Sequence, residues 1–356
     1  MLIIGCDLHS RYQVIAMVNT ETGEVTTRRL EHENGEARAF YASLPPGARV
    51  GIEATGYTQW FERMLADLQH ELWTGDPAEI RARAVRRQKT DYRDADHVLD
   101  LLVTNRFPRL WVPSVEERDL RQLLKHRDKL VRMQTSVKNQ LHFLAMSQGV
   151  CRKKKLWSAR GRQELEGLAL GRWASRRRQE LLELLDRLQP EIQELDAEVA
   201  GEAERRPEVV QLMSQKGVGP VTGLAFVLTV GPVERFANSG KLVSYLGLNP
   251  SEDSSGGRQK LGSISKQGNA MMRWLLVEAG QSAAQFDPQL RRVYQRLKFR
   301  RGAKVAKVAL ARRLAVRLDW RLREASREAR VRADGSPVRT PGSSAHSMVG
   351  ASPSTL

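Results

Sequence analysis

In the first third of the chain, the pattern of hydrophobic and polar positions predicts strands before helices. Three segments are apolar or alternate between apolar and polar residues, and each predicts a strand: Met1–Asp7, Tyr12–Asn19 and Val25–Glu31. The segment Glu21-Thr22-Gly23-Glu24 predicts a hairpin turn between the last two strands. We therefore expect a three-stranded meander at the start of the chain.

After the meander, the pattern predicts alternating helices and strands. Asn34 is the predicted cap of a first helix, and Val50–Ala54 is the next strand. Tyr57–Gln69 is amphipathic and predicts a helix, and a short strand around Leu72-Trp73-Thr74 precedes another helix. This order of elements is typical of an α/β domain of the RuvC or ribonuclease-H-like kind.

Four acidic residues occupy positions that would converge in such a domain. Asp7 and Glu53 end strands that we expect to be neighbours at the centre of the sheet. Asp91 and Asp94 lie three residues apart on the first turn of a predicted helix, so their side chains face one side. Asp96 is a weaker candidate, because it lies about 200° around the helix from Asp94.

Each acid alone has an ordinary interpretation. An Asp at a strand end is usually a solvated turn residue, and an Asp in the first turn of a helix is stabilised by the helix dipole. The coincidence of all four in one compatible fold favours a shared divalent-metal site. Hard oxygen ligands select Mg²⁺ or Mn²⁺ over zinc. Such ions offset the negative charge that develops when a phosphodiester is displaced, so the cluster predicts metal-dependent phosphodiester chemistry.

From Ser114 onward, leucines at helical spacing predict two long helices. The first runs to about Leu144, and the second spans Ser175–Glu204. They form either an antiparallel pair or a coiled coil between subunits. Four arginines lie close together near the start of the second helix: Arg172, Arg176, Arg177 and Arg178. Two interpretations of this arginine cluster stay open: a solvated helix face and a surface that contacts phosphate.

A glycine-rich turn, Gly217-Val218-Gly219-Pro220, precedes an apolar helix from Leu224 to Val230. Gly217 and Gly219 permit a tight turn with positive φ. The N-terminus of the following helix would present free N–H groups to a phosphate, as in a helix-hairpin-helix motif. An ordinary pair of antiparallel helices is an equally good interpretation.

The segment Ser251–Asn269 is a loop rich in serine, glycine and cations. Most such loops are flexible linkers. A serine here could approach a phosphate, with Arg258, Lys260 and Lys266 neutralising its oxygens. The sequence offers no neighbouring histidine as a base, so activation would have to come through the fold or from another subunit.

The last part of the chain is strongly basic. Leu290–Arg330 predicts one helical run in which Tyr294 and Phe299 interleave with many cations. We expect one face of this helix to pack on the core and the other to contact nucleic acid. Val331–Leu356 is rich in serine, proline and glycine and predicts a disordered tail.

Composition supports a nucleic-acid partner. The 356 residues carry a formal charge of +17 at pH 7, which favours a polyanion. We see no long apolar span and no signal peptide, so we expect a cytoplasmic protein without a membrane segment. The two cysteines, Cys6 and Cys151, have no metal-ligand spacing and support neither a disulfide framework nor a zinc site.

Taken together, these segments resemble the DEDD insertion-sequence transposases, a family of bridge-RNA-guided serine recombinases. The resemblance covers roughly residues 1–325 and depends on five segments in a fixed order. They are Gly5-Cys6-Asp7, Gly51-Ile52-Glu53-Ala54-Thr55-Gly56, Lys89-Thr90-Asp91-Tyr92-Arg93-Asp94-Ala95, Gly217-Val218-Gly219-Pro220, and Ser255-Gly256-Gly257 leading to Ile264-Ser265-Lys266-Gln267-Gly268-Asn269.

The resemblance implies a role for each of these residues. Asp7, Glu53, Asp91 and Asp94 would be the metal-binding tetrad, with Mg²⁺ as cofactor. Ser255 would be the nucleophile that forms a phosphoserine link to DNA, although Ser254 is adjacent. The family also implies donor and target DNA, a noncoding bridge RNA, and a homotetramer in which the tetrad of one subunit meets the serine of another.

The resulting expectation is an α/β domain followed by mainly helical segments. The predicted divisions are a RuvC-like domain at 1–113, a helical or coiled-coil segment at 114–205, a C-terminal transposase domain at 206–330 and a tail at 331–356. Two rival functions remain open at this point. One is a RuvC-type nuclease in which water attacks, and the other is a non-catalytic protein that binds nucleic acid.

Overall fold

The computed structural model describes residues 1–84, 90–151, 153–252 and 261–333. The chain divides into two compact units, Met1–Val112 and Pro113–Leu356. The division into four segments proposed above stays a prediction.

The first unit is built on a five-stranded mixed sheet with the strand order β3-β2-β1-β4-β5. Its elements are β1 (Leu2–Leu8), β2 (Tyr12–Asn19), β3 (Val25–Glu31), α1 (Glu36–Ala42), β4 (Arg49–Glu53), α2 (Gln59–Asp67), β5 (Glu71–Gly75), α3 (Pro77–Ala82) and α4 (Asp91–Val103). The first three strands are antiparallel, whereas β1, β4 and β5 are parallel. The predicted mixed α/β sheet is confirmed, and it is compatible with the ribonuclease-H-like hypothesis.

The two faces of this sheet bury different helices. Ile4, Cys6 and Leu8 of β1 join a core that includes α1 and α2. Ile3 lies in a second core with Leu99 of α4. Because side chains alternate along a strand, Asp7 lies on the α4 face with Ile3. The same alternation in β4 places Glu53 on that face, since Ile52 belongs to the opposite core.

Two glycines let α4 lie directly against the strands. A Cβ atom at Gly5 would stand 2.3 Å from the backbone nitrogen of Leu99 and 2.4 Å from the carbonyl oxygen of Ala95. At Gly51 it would stand 2.6 Å from a methyl group of Leu102. Only a residue without a side chain fits against the helix backbone at Gly5.

The second unit begins with two long helices joined by shorter ones. Its first elements are α5 (Val115–Ser147), a 3₁₀ helix (Lys153–Trp157), α6 (Ala159–Glu166) and α7 (Arg172–Glu204). Arg127 of α5 pairs with Asp196 of α7, whereas Gln140, further along α5, accepts a hydrogen bond from Arg177, near the start of α7. The two helices are therefore antiparallel partners within one chain, the first of the two predicted arrangements.

The remaining helices include the apolar helix α9, which packs against its neighbours α8 and α11. The elements are α8 (Pro207–Met213), α9 (Pro220–Val230), a 3₁₀ turn (Val233–Arg235), α10 (Ser239–Tyr245), β6 (Pro250–Glu252), β7 (Leu261–Ile264), α11 (Ala270–Phe286), α12 (Pro288–Arg301) and α13 (Ala303–Ala333). Leu224 and Phe226 of α9 share a core with Leu276 of α11 and Leu314 of α13. Within the described residues, none of the helices combines the length and apolar composition that a membrane crossing requires.

The structure corrects the glycine-rich turn and the cap of the first helix. Gly217 has φ +88, as predicted, and a Cβ there would also stand 2.5 Å from backbone atoms of Ala279 and Ala283 in α11, so both the turn and the close packing favour glycine. Gly219 has φ −102 and needs no left-handed conformation. Gly35, with φ +76, is the N-cap of α1, and Asn34, one residue earlier, accepts a hydrogen bond from the backbone N–H of Glu36 at 3.0 Å.

The structure also corrects two predictions further along the chain. The predicted loop Ser251–Asn269 overlaps two short antiparallel strands, β6 and β7, which the polar, glycine-containing sequence did not indicate. The single basic helix predicted over Leu290–Arg330 is two helices, because the chain turns at Gly302 with φ +83.

The contact at Gly5 leads to a stability prediction. Gly5→Ala should lower the free energy of unfolding by about 1–3 kcal/mol or more, because the new methyl group pushes on backbone atoms that cannot rotate away. Chemical denaturation of the full chain measures this loss. Gly56→Ala is the matched control, since a Cβ there meets nothing within 4 Å. Equal stability of the two variants would contradict the contact.

Candidate functional site

The candidate site lies where the end of β1 meets the beginning of α4. Asp7 is the next-to-last residue of β1, and Asp91 is the first residue of α4. Thr90 caps this helix, and its side-chain oxygen accepts a hydrogen bond from the backbone N–H of Arg93 at 3.4 Å. The close packing of α4 on Gly5 brings the first turn of the helix over the end of the strand.

Three potential ligand side chains meet at this point: Asp7, His9 and Asp91. One ligand atom from each lies within 4.8 Å of the others. The Nε2 atom of His9 lies 3.0 Å from Oδ2 of Asp7 and 3.6 Å from Oδ2 of Asp91. The hydroxyl of Tyr12 donates a hydrogen bond to the same Asp91 oxygen at 2.8 Å. Two carboxylates and one imidazole thus face a common point.

The electrostatics of the site disfavour its negative charge. Burial raises the pKa of Asp7, the nearby His9 lowers it, and the charges of Asp94 and Asp91 raise it further. The hydrogen bond to Asp91 raises the pKa of the Tyr12 hydroxyl. Half-buried carboxylates that repel one another are the environment in which a bound cation is stabilising.

Glu53 and Asp94 lie near the three-residue group but outside it. Glu53 ends β4, one residue beyond Ile52, which pairs with Cys6 of β1. Its carboxylate lies 4.0 Å from the guanidinium of Arg81, so a positive charge also lies at this edge of the sheet. Asp94 is half-buried, and its charge raises the pKa of Asp7. Among the described residues, the structure groups two of the four predicted acids as ligands within 4.8 Å.

The predicted nucleophile, Ser255, lies outside the described residues, as do its neighbour Ser254 and the cations Arg258 and Lys260. These assignments, like the metal-binding roles of the four acids, stay predictions.

His9 and Tyr12 were missing from the sequence-based prediction. The available signal was the spacing Asp7-Leu8-His9, because residues two apart at a strand end point to the same side. Tyr12 was assigned only to a strand, and its contact with Asp91 spans 79 positions of sequence. A contact between residues so far apart in the sequence cannot be predicted from local sequence patterns.

The residues present fit a divalent cation. Two ligands at right angles, each about 2.1 Å from an ion, are separated by about 3 Å, which is close to the spacings around His9. The site also contains a hydrogen-bond donor, Tyr12, that orients one carboxylate. A cation here would relieve the repulsion between Asp7, Asp91 and Asp94.

The second unit presents cationic surfaces. In the last turn of α12, Lys298, Arg300 and Arg301 are exposed, and the Phe299 side chain between them is 94% exposed. A separate cavity of about 210 Å³ is lined by Arg121 and Lys125, together with Tyr245 and Asn269. Burial lowers the pKa of Arg121, and the neighbouring charges of Arg235 and Arg118 act in the same direction.

The arginine cluster at the start of α7 makes contacts within the chain. Arg176 pairs with Glu180 at 2.8 Å, and Arg177 donates to Gln140 at 2.9 Å. Arg178 donates to the carbonyl oxygens of Leu165 and Leu168. Arg176, Arg177 and Arg178 thus have partners within the chain.

Two family models match the chain. One, a DEDD model described as "Transposase", matches residues 4–145, and the other, described as "Transposase IS116/IS110/IS902 family", matches residues 210–295. The first range contains all four predicted metal ligands, and the second contains Ser254 and Ser255.

Several curated proteins are similar to the chain over most of its length. A "Probable family 20 transposase" of Pseudomonas aeruginosa is 28% identical over 90% of this chain and 96% of that protein. The "Transposase for insertion sequence element IS1111A" of Coxiella burnetii is 27% identical over 79% of this chain and 77% of its own length. The chain belongs to the DEDD insertion-sequence transposases of the IS110/IS116 family.

The raised pKa of Asp7 leads to a prediction about stability: replacing a residue proposed to bind the metal should make the metal-free protein more stable. In the absence of divalent cations at pH 7, Asp7→Asn should unfold at a higher temperature than the wild type. The reason is that the substitution removes a charge that burial and neighbouring acids disfavour. Since the folded-state pKa of Asp7 is raised, this advantage should shrink as the pH falls toward the ordinary value of 3.8.

Thermal unfolding with and without Mn²⁺ or Mg²⁺ checks this prediction. Added cation should stabilise the wild type and leave Asp7→Asn unchanged. Asp96→Asn is the matched control, because Asp96 is an exposed acid on the same helix. A less stable Asp7→Asn protein would contradict the account.

Proposed function

We propose that this transposase is a divalent-metal-dependent recombinase that cuts and rejoins DNA through a covalent serine link. The metal would be held by Asp7, Glu53, Asp91 and Asp94, and Ser255 would attack the phosphate. The observation that carries the proposal is the convergence of Asp7 and Asp91, from elements 84 positions apart in the sequence, on one cation-sized site.

The proposed chemistry assigns distinct tasks to the acids and to the serine. A bound divalent cation would stabilise negative charge on the phosphate oxygens during displacement. The carboxylates bind and orient the ion, and the packing of α4 on β1 holds them in place. The serine oxygen forms a bond to phosphorus as the bond to a deoxyribose oxygen breaks. The hydroxyl proton passes to solvent, and the leaving oxygen takes up a proton.

The covalent link would preserve the energy of the broken phosphodiester bond. A hydroxyl group of another DNA end attacks the phosphoserine, the serine leaves, and a new phosphodiester forms without an external energy source. A nuclease that uses water as nucleophile cannot carry out this second step, because hydrolysis releases the phosphate end.

Cationic residues of the second unit supply contacts for nucleic-acid backbones. The exposed end of α12 combines three cations with Phe299, a combination suited to phosphates and unstacked bases. The cavity beside Arg121 and Lys125 is large enough for a phosphate group. A noncoding guide RNA and a tetramer complete the proposal, and both rest on the family resemblance. The net charge of +17 favours a polyanion such as RNA but has no bearing on the tetramer.

A denaturing gel for a protein–DNA adduct tests the proposal. Wild-type protein, incubated with Mg²⁺, the DNA ends of its element and the transcript of the flanking noncoding region, should form an adduct that survives denaturation. Ser255→Ala should abolish the adduct, and Ser254→Ala should retain it. Asp7→Ala should reduce strand cleavage by at least about 100-fold while DNA binding persists, because metal binding is lost.

The same gel separates the rival functions. Strand cleavage without any adduct, unaffected by Ser255→Ala, would favour the RuvC-type nuclease. Unchanged behaviour of Asp7→Ala in every assay would favour a binding protein without catalysis. Asp96→Ala serves as the control for an acid on α4 whose side chain is exposed, and it should retain both cleavage and adduct.

A further inference from the structure

We infer that His9 is itself a ligand of the divalent cation. The centre would then be a mixed oxygen–nitrogen site that favours Mn²⁺ over Mg²⁺. This inference rests on the proposed metal-dependent function and goes beyond it, because the DEDD tetrad contains oxygen donors alone. Imidazole nitrogen is a good ligand for first-row transition ions, whereas Mg²⁺ favours oxygen ligands and retains water.

The position of the imidazole supports the assignment. Its Nε2 atom lies between two carboxylates, 3.0 Å from Asp7 and 3.6 Å from Asp91, although 36% of the side chain is exposed. Neighbouring ligands of one ion, each about 2.1 Å from it, are separated by about 3 Å. The separations of 3.0 Å and 3.6 Å are close to this spacing, and the oxygens of Asp7 and Asp91 lie within 4.8 Å of each other.

The surroundings of His9 fix the orientation of its ring. The backbone N–H of His9 donates to the carbonyl oxygen of Tyr12 at 3.0 Å, which closes the turn between β1 and β2. The rings of His9 and Tyr12 pack with their centroids 4.7 Å apart. The guanidinium of Arg29 covers the Tyr12 ring at 3.7 Å. A ring held by a turn and an aromatic neighbour loses little freedom when it binds an ion.

Tyr12 connects the imidazole to the acid on α4. Its hydroxyl donates to the Asp91 oxygen that faces His9, so one side chain supports two members of the site. Hydrogen bonds of this kind orient metal ligands in proteins. The hairpin between β1 and β2 therefore contributes His9 as a ligand and Tyr12 as a positioning residue.

A second role for His9 would be to position Asp7 by hydrogen bonding without touching the metal. The two roles differ in what a spectroscopic probe of the ion detects. A coordinated imidazole transfers spin density from Mn²⁺ to its nitrogen, which gives a ¹⁴N modulation in pulsed electron paramagnetic resonance. A histidine that only positions Asp7 gives no such coupling.

The test uses the full chain and Mn²⁺ alone as the probe. Wild-type protein should bind Mn²⁺ and show ¹⁴N coupling. His9→Ala should weaken Mn²⁺ binding at least about tenfold and remove the coupling. His9→Gln keeps an N–H donor near Nε2 and should also lose the coupling. The selectivity for Mn²⁺ over Mg²⁺, measured by competition, should fall in both variants. His126→Ala, at an exposed histidine of α5, is the matched control.

Different outcomes identify which proposal has failed. If wild-type Mn²⁺ shows no ¹⁴N coupling but Asp7→Asn abolishes binding, His9 is not a ligand and the carboxylate centre stands. If His9→Gln retains wild-type affinity and selectivity, the histidine serves only to position Asp7. If wild-type protein binds no Mn²⁺ at millimolar concentration, the metal centre of the proposed function fails as well. Circular dichroism of each variant verifies that it has folded.

Discussion

The candidate site depends on the contact between two backbones, that of β1 at Gly5 and that of α4 at Ala95 and Leu99. A methyl group at Gly5 would stand within 2.8 Å of three backbone atoms of the helix. This close approach determines where α4 begins relative to the end of β1. Because Asp7 is two residues beyond Gly5 and Asp91 is one helical turn before Ala95, the same contact brings their carboxylates together.

That proximity costs stability, and groups whose ionised form is disfavoured are common at functional sites. Asp7 is half-buried and lies in the field of Asp91 and Asp94, so its ionised form is disfavoured in the folded protein. A fold selected for stability alone would place a neutral residue there. The contact of His9 with Asp7 and the hydrogen bond that Tyr12 donates to Asp91 reduce this cost. A divalent cation would offset it further.

Features determined by local sequence were predictable, whereas those determined by packing were not. The bounds of β2 and β3 matched their alternating patterns because the turn between them is encoded locally. The proximity of Asp7 and Asp91 could be anticipated, because strand ends and the first turns of helices have clear signals; their metal-binding role stays a prediction. The proximity of His9 to Asp91 was missed, since it depends on the distance between β1 and α4. The break at Gly302 was missed because cations continue on both sides of it.

The central claim is that the packing of α4 on β1 creates a cation site at Asp7 and Asp91. Anomalous diffraction from crystals of the full chain soaked in Mn²⁺ tests it most directly. The account predicts one strong manganese peak within coordination distance, about 2.0–2.4 Å, of carboxylate oxygens from both residues. A peak elsewhere, with this site empty at saturating Mn²⁺, would contradict it.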